Sequence, residues 1–355
     1  MYLAPTSTHI IPVHQSTDGY KVQKLAVDKH EFKGTNSNKK IVFLFSHSNG
    51  FHKECFHPLM RHLINRLRSL EEYSQVDITF VSWDARNHGD SARLNDGTFF
   101  DKATLVVRST SINNRNQDRW LDNALDTRQV VDQMRLKSDY DQLVLVGHSF
   151  GASSAILCEF YFPGTFDGLC VIEPVMSDTF PHGEILAKSP IITTLKRRDE
   201  WQNRDECRET LLKKKFFQNF HPEVLDLYVT YGMYDTENGT IKLKCPKTQE
   251  YASNLIPKRF VKHVFKNSLY ETNTALRSLQ LIKRPTHFVY GLSSNFLGRD
   301  QAHNIVELNK SKISLSFVEG GHMVPNEKPD IIVPEITKVL EKINNESKSV
   351  GQSKL

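Results

Sequence analysis

Three side chains in this sequence could share one reaction: Ser149, His322 and a carboxylate, either Glu173 or Asp300. Ser149 stands in Gly147-His148-Ser149-Phe150-Gly151. The apolar run Leu143-Val144-Leu145-Val146 precedes it, and the small-residue run Ala152-Ser153-Ser154-Ala155-Ile156-Leu157 follows. A strand that breaks at Gly-x-Ser-x-Gly and continues as a helix is a nucleophile elbow. Its glycines let two backbones approach closely, and its serine takes a strained conformation above the positive end of a helix. A serine hydroxyl reacts only when a base takes its proton and a carboxylate orients that base. The best base is His322, in the Gly-rich loop Val318-Glu319-Gly320-Gly321-His322-Met323-Val324-Pro325. Glu173 ends the apolar run Gly168-Leu169-Cys170-Val171-Ile172, where a carboxylate is expected to be buried and paired. Asp300 is the next acid after the loop Gly291-Leu292-Ser293-Ser294-Asn295-Phe296. Blander readings stay open for each: Ser149 as a helix cap, His322 as a solvated loop histidine, Glu173 as a strand-end anchor.

The elements that must hold these groups alternate. Strands are expected at residues 20–33, Lys40–Ser46, Asp77–Trp83, Leu143–Val146, Gly168–Pro174, Thr286–Gly291 and Ile313–Val318, with helices near 54–70 and 121–136. Such alternation predicts an α/β fold: a mostly parallel central sheet, helices on both faces, and a site at the carboxyl ends of the strands. From Ser177 to about Lys283 the alternation stops and the chain reads as mostly helical. The expected organisation is therefore a core of residues 1–176 and 284–343, a helical cap of residues 177–283, and a polar tail, 344–355, that reads as disordered.

Composition narrows the function classes. The chain has 355 residues, 39% hydrophobic and 25% charged, with net charge +5. The sequence pI is about 8.8. No apolar window approaches the roughly 18 residues of a membrane span, and Met1-Tyr2-Leu3-Ala4-Pro5 lacks the basic and apolar parts of a secretory signal. The five cysteines form no Cys-x-x-Cys pair, and Cys158 and Cys170 lie in apolar runs, as core thiols do. His47, His52, His57 and His62 recur every fifth residue, which spreads them around a helix and argues against a metal site. No phosphate loop or dinucleotide fingerprint is present, so no cofactor is expected. The basic runs Lys196-Arg197-Arg198 and Lys213-Lys214-Lys215 lack the motif of a nucleic-acid binder and read as solvated faces. Peripheral membrane contact is left open.

Taken together, the elbow, the Glu173-Pro174 strand end, the cap and the His322 loop resemble the α/β-hydrolase superfamily over roughly residues 38–345. Asn49-Gly50-Phe51-His52-Lys53-Glu54, Ile172-Glu173-Pro174, Arg197-Arg198-Asp199-Glu200-Trp201 and Tyr231-Gly232-Met233 extend the resemblance. They resemble a fungal group that includes a yeast peroxisomal lipase and hydrolases of toxin-biosynthesis clusters. The resemblance implies a chain order of nucleophile, acid, histidine. It also implies an Asp a few residues past Gly291, where this sequence has Ser294; that departure favours Glu173, with Asp300 as the alternative. His47-Ser48-Asn49-Gly50-Phe51-His52 is similar to the loop that supplies an oxyanion donor, which points to the Phe51 amide beside that of Phe150. The loop Trp83–Ser91 is expected to shape the pocket floor. Ser353-Lys354-Leu355 matches the peroxisomal import tripeptide, so the import receptor is an expected partner and the peroxisomal matrix the expected location.

The function expected from this set is a peroxisomal serine hydrolase of lipid-like acyl esters, working through an acyl-enzyme. Phe180, Trp201, Phe216, Phe217 and Phe220 are candidate walls of an acyl pocket under the cap. Two alternatives remain: a catalytically silent member used for binding or structure, and a C–C bond or thioester hydrolase with the same triad.

Overall fold

The structure, a computed structural model, describes residues 2–17, 19–35, 38–98, 120–176, 194, 197–247 and 271–352. At its centre is an eight-stranded sheet of β1 (Ser7–Pro12), β2 (Lys24–Phe32), β3 (Lys40–Ser46), β4 (Asp77–Trp83), β5 (Gln142–His148), β6 (Gly168–Ile172), β10 (Thr286–Gly291) and β11 (Ile313–Val318). Their spatial order is β1-β2-β4-β3-β5-β6-β10-β11. The β1–β2 and β2–β4 pairs are antiparallel and all the others parallel. This is the α/β-hydrolase fold, with the mostly parallel sheet that the alternation predicts. β1 is the one strand of this sheet with no forecast. Its burial alternates because only one of its faces is covered.

The period of two sorts each strand between two cores. On β3, Val42 and Leu44 face one side with Val81, Leu143 and Leu145, under helices α3 (Trp120–Gln133) and α4 (Phe150–Tyr161). Ile41, Phe43 and Phe45 face the other side, under α1 (His57–Ser69) and α8 (Val333–Gln352). Cys158 and Cys170 are fully buried, one in each core.

The carboxyl-terminal region corrects an expectation. Residues up to Gln352 continue α8, where a disordered tail from Asn344 was expected. Ile336, Val339, Leu340 and Ile343 keep an apolar stripe on the core at helical spacing. Polar contacts then extend the anchoring: Asn344 Nδ2 donates to Tyr73 Oη at 2.9 Å, and Lys312 Nζ pairs with Glu346 Oε1 at 2.6 Å. Ser353, Lys354 and Leu355 lie outside the described residues.

Between β6 and β10 the described part of the chain holds α5 (Arg204–Leu212), a helical turn at Lys215–Gln218 and α6 (Pro222–Tyr231). It also holds a small antiparallel sheet, β7 (Glu200–Trp201), β9 (Ile241–Leu243) and β8 (Met233–Asp235). Strands of two or three residues are too short to leave a period-two signal, which is why this segment reads as mostly helical in the sequence. Among the described residues no helix is long and apolar enough to cross a membrane.

Candidate active site

β5 delivers Ser149 at the expected turn. Ser149 has φ 52° and ψ −113°, a strained backbone for a residue with a side chain. The glycines make this turn possible. A Cβ on Gly151 would lie 2.3 Å from the Ser46 carbonyl oxygen, and one on Gly147 would lie 2.7 Å from the Ala152 Cα. Phe150 is the first residue of α4, so its N–H has no carbonyl partner within the helix.

One imidazole joins the three chemical groups. His322 Nε2 lies 3.0 Å from Ser149 Oγ, and His322 Nδ1 lies 2.9 Å from Glu173 Oε2. With Nδ1 donating to the carboxylate, Nε2 is left to accept from the serine hydroxyl. Glu173 is buried and also has a positive φ, 51°. That conformation turns its side chain off the end of β6 toward the loops after β10 and β11. There the Gly291 amide donates to Oε1 and the Ser294 hydroxyl to Oε2, each at 2.7 Å. The slot where the resemblance implied an Asp thus holds a serine that hydrogen-bonds the acid from the neighbouring strand. Asp300 is exposed in the first turn of α7 (Arg299–Glu307), and the carboxylate on His322 is that of Glu173.

The other face of the site is built by buried histidines. His148 Nε2 donates to the His322 carbonyl at 2.8 Å, tying the elbow to the histidine loop. Burial lowers His148 to about 3, so the ring is neutral. His47 is likewise lowered by burial to about 4. Its Nδ1 donates to the Ser48 carbonyl at 2.8 Å, and its Nε2 accepts from the Ala85 amide at 3.0 Å. The Gly50 amide donates to His88 Nε2 at 2.9 Å. The Trp83–Ser91 loop therefore braces the loop after β3 from below.

This bracing corrects the expectation for Phe51. Its amide donates to the Ser48 carbonyl at 3.2 Å, within a turn that Gly50 closes at φ 79°. Its ring packs into the cap beside Phe220 and Tyr228. The Ser48 carbonyl points at His47 and Phe51, so across a trans peptide the Asn49 N–H points the opposite way. The candidate pocket walls are also corrected in part. Trp201, Phe217 and Phe220 are buried in the cap core with Phe51, Phe216 is exposed, and Phe180 lies outside the described residues.

Below the loop Lys53 is buried amid carboxylates, with Nζ 2.6 Å from Glu54, 2.7 Å from Asp90, 3.3 Å from Asp84 and 3.5 Å from Asp28. Burial alone would lower its pKa, but these four acids raise it. Lys244 joins the cap to the same cluster through Asp90 at 2.6 Å. In the sequence Lys53 stands only as one residue of the Asn49–Glu54 run that carries the resemblance, with no role assigned to it. Among the described residues no group of His, Cys, Asp and Glu could hold a metal ion.

A sheet of this order with a serine elbow, a strand-end acid and a late histidine loop defines the α/β-hydrolase class. The chain belongs to the alpha/beta hydrolase family, whose pattern it matches over residues 41–335. It is similar to a protein of Saccharomyces cerevisiae named peroxisomal membrane protein LPX1, with 22% identity over 316 residues, 84% of this chain and 74% of the relative. The solved structure of the peroxisomal alpha-beta-hydrolase Lpx1 from Saccharomyces cerevisiae superposes with a TM-score of 0.74 at 20% identity, covering 96% of this chain and 89% of the other. E-2-(acetamidomethylene)succinate hydrolase superposes with a TM-score of 0.63 at 16% identity, covering 94% of this chain and all of the other, 100%.

Proposed function

We propose that this chain is a serine hydrolase that cleaves acyl esters through a covalent acyl-enzyme. The observation that carries the reading is the single imidazole of His322, hydrogen-bonded at once to Ser149 Oγ and Glu173. Ser149 Oγ attacks the ester carbonyl carbon while His322 Nε2 takes its proton, and Glu173 stabilises the imidazolium that forms. The resulting oxyanion is held by the Phe150 amide, which has no carbonyl partner within α4. Collapse expels the alcohol, which leaves with the proton from His322. Water then attacks the acyl-enzyme by the same route, giving the acid and restoring Ser149. A silent, binding-only member would not need this unbroken hydrogen-bond chain.

The peroxisomal location rests on the name of the yeast relative and on the matching tripeptide Ser353-Lys354-Leu355. A fluorescent amino-terminal fusion should be punctate with these three residues and diffuse without them.

The catalytic reading is tested with p-nitrophenyl esters of graded chain length and with a fluorophosphonate probe. Wild-type protein should hydrolyse the short esters and become labelled at Ser149. Ser149→Ala should lose labelling and at least about a thousandfold in kcat. A Ser149→Ala protein with full esterase activity would overturn the assignment.

A further inference from the structure

We propose that Phe296 is a positioning residue for the catalytic imidazole, clamping one face of His322 and stabilising the cation it becomes; this rests on the serine-hydrolase reading above. The Phe296 ring lies flat on His322, with ring centroids 3.8 Å apart and an interplanar angle of 17°. Both nitrogens of the imidazole are held at its edges, by Glu173 and Ser149. Phe296 takes a face, where edge contacts give no restraint on tilting.

Burial does not explain this aromatic. Phe296 is 52% exposed, so the site retains a large apolar ring partly in water. Its loop is also tied down. Ser293 donates to the Gly320 carbonyl through both its amide, at 3.0 Å, and its hydroxyl, at 2.7 Å. The Ser294 hydroxyl donates to Glu173 and accepts the Phe296 amide at 3.4 Å. One short loop therefore fixes the acid and covers the base. With the acid supplied from β6, the segment after Gly291 is free to provide this second support.

The chemistry gives the contact its use. Each proton transfer from Ser149 or water to Nε2 makes the imidazole a cation. A cation over an aromatic face is attracted to the ring's negative π surface. The attraction grows as charge develops, so it favours the transition state over the bound substrate.

Three substitutions separate this role from others. Phe296→Leu keeps an apolar cover without a π face, Phe296→Tyr keeps the face, and Phe296→Ser removes both. In ester hydrolysis Phe296→Leu should lower kcat by about three- to thirtyfold with KM nearly unchanged. Phe296→Tyr should recover most of the rate, and Phe296→Ser should be the slowest. Wild-type kcat in Phe296→Leu, a change confined to KM, or no recovery in Phe296→Tyr would overturn the proposal. A readout that needs no turnover is the His322 Cε1–H resonance. It should be shifted upfield by the ring current in wild type and Phe296→Tyr, and return in Phe296→Leu. An unchanged resonance would refute the stack. Failure of the underlying reading looks different, because wild-type protein would then take up no fluorophosphonate at Ser149.

Discussion

Glu173 occupies a demanding position for an acid: buried, at positive φ, and hydrogen-bonded to Gly291, Ser294 and His322. A glutamine could keep the Gly291 contact through its one carbonyl oxygen, but the amide nitrogen that replaces Oε2 cannot accept from His322 Nδ1. Glu173→Gln should therefore cost about three to four orders of magnitude in kcat, since an amide favours the wrong imidazole tautomer. Asp300→Asn, on an exposed helix turn, should leave kcat within twofold, on the order expected for a surface change. Ser294→Ala removes one donor to the carboxylate and should cost roughly tenfold in kcat. Steady-state esterase kinetics on the three variants checks the set, and an Asp300→Asn loss larger than that of Glu173→Gln would reverse the assignment. The sequence carried Ser149, His322 and the choice between two acids, because reactive residues at strand ends leave local signals. It did not carry Phe296, which meets His322 only through the fold.

The central strands that hold the site were legible because both of their faces are covered, and the edge strand β11, half-buried after Ile313, because its apolar and polar residues alternate. Runs such as Asp77–Trp83 and Ile313–Val318 coincide with β4 and β11. What was not legible depended on contacts far along the chain. The turn after β3 is shaped by His47 and His88 as much as by its own glycine, which is why Phe51 proved to be a turn and packing residue. The elbow is where element geometry is tightest. Gly151→Ala would place a methyl 2.3 Å from the Ser46 oxygen and 2.6 Å from that of His47, both backbone atoms at the end of β3. Rigid backbone cannot yield as a side-chain tip can, so β3 and α4 would have to separate. We expect a loss of about 2–4 kcal/mol in stability and little fluorophosphonate labelling of the folded fraction. Denaturant unfolding and labelling at low temperature measure the two effects, and wild-type values for both would show that the approach is not tight.

Across the whole molecule, stability should depend on pH through buried histidines on both sides of the loop after β3. Burial lowers His47 to about 4, His57 to about 3 and His148 to about 3, and puts His88 well below its ordinary value. Unfolded, each would titrate near 6.5. Between pH 6.5 and these lowered values the unfolded chain binds the more protons, so acidification favours unfolding by about 1.4 kcal/mol per pH unit per histidine. Asp84 opposes them. Burial raises it to about 6, so between about 4 and 6 the folded state binds its proton and gains stability as pH falls. Among these five groups the histidines outweigh Asp84, so the balance is a loss of stability as pH falls below 6. For a fold with the usual 5–15 kcal/mol, a loss on the order of a few kcal/mol lowers the unfolding midpoint on the acid side. His52 acts on the alkaline side. Burial would lower it, but Cys55 and Glu54 outweigh burial and raise it to about 10. Its contribution is complete below 6.5 and disappears as pH rises through about 10. Thermal unfolding followed by circular dichroism from pH 4 to 10 should give a midpoint that peaks near neutrality and falls most steeply on the acid side. A midpoint at pH 4.5 equal to that at pH 7 would mean that these histidines accept protons without unfolding, and that the loop they brace can open.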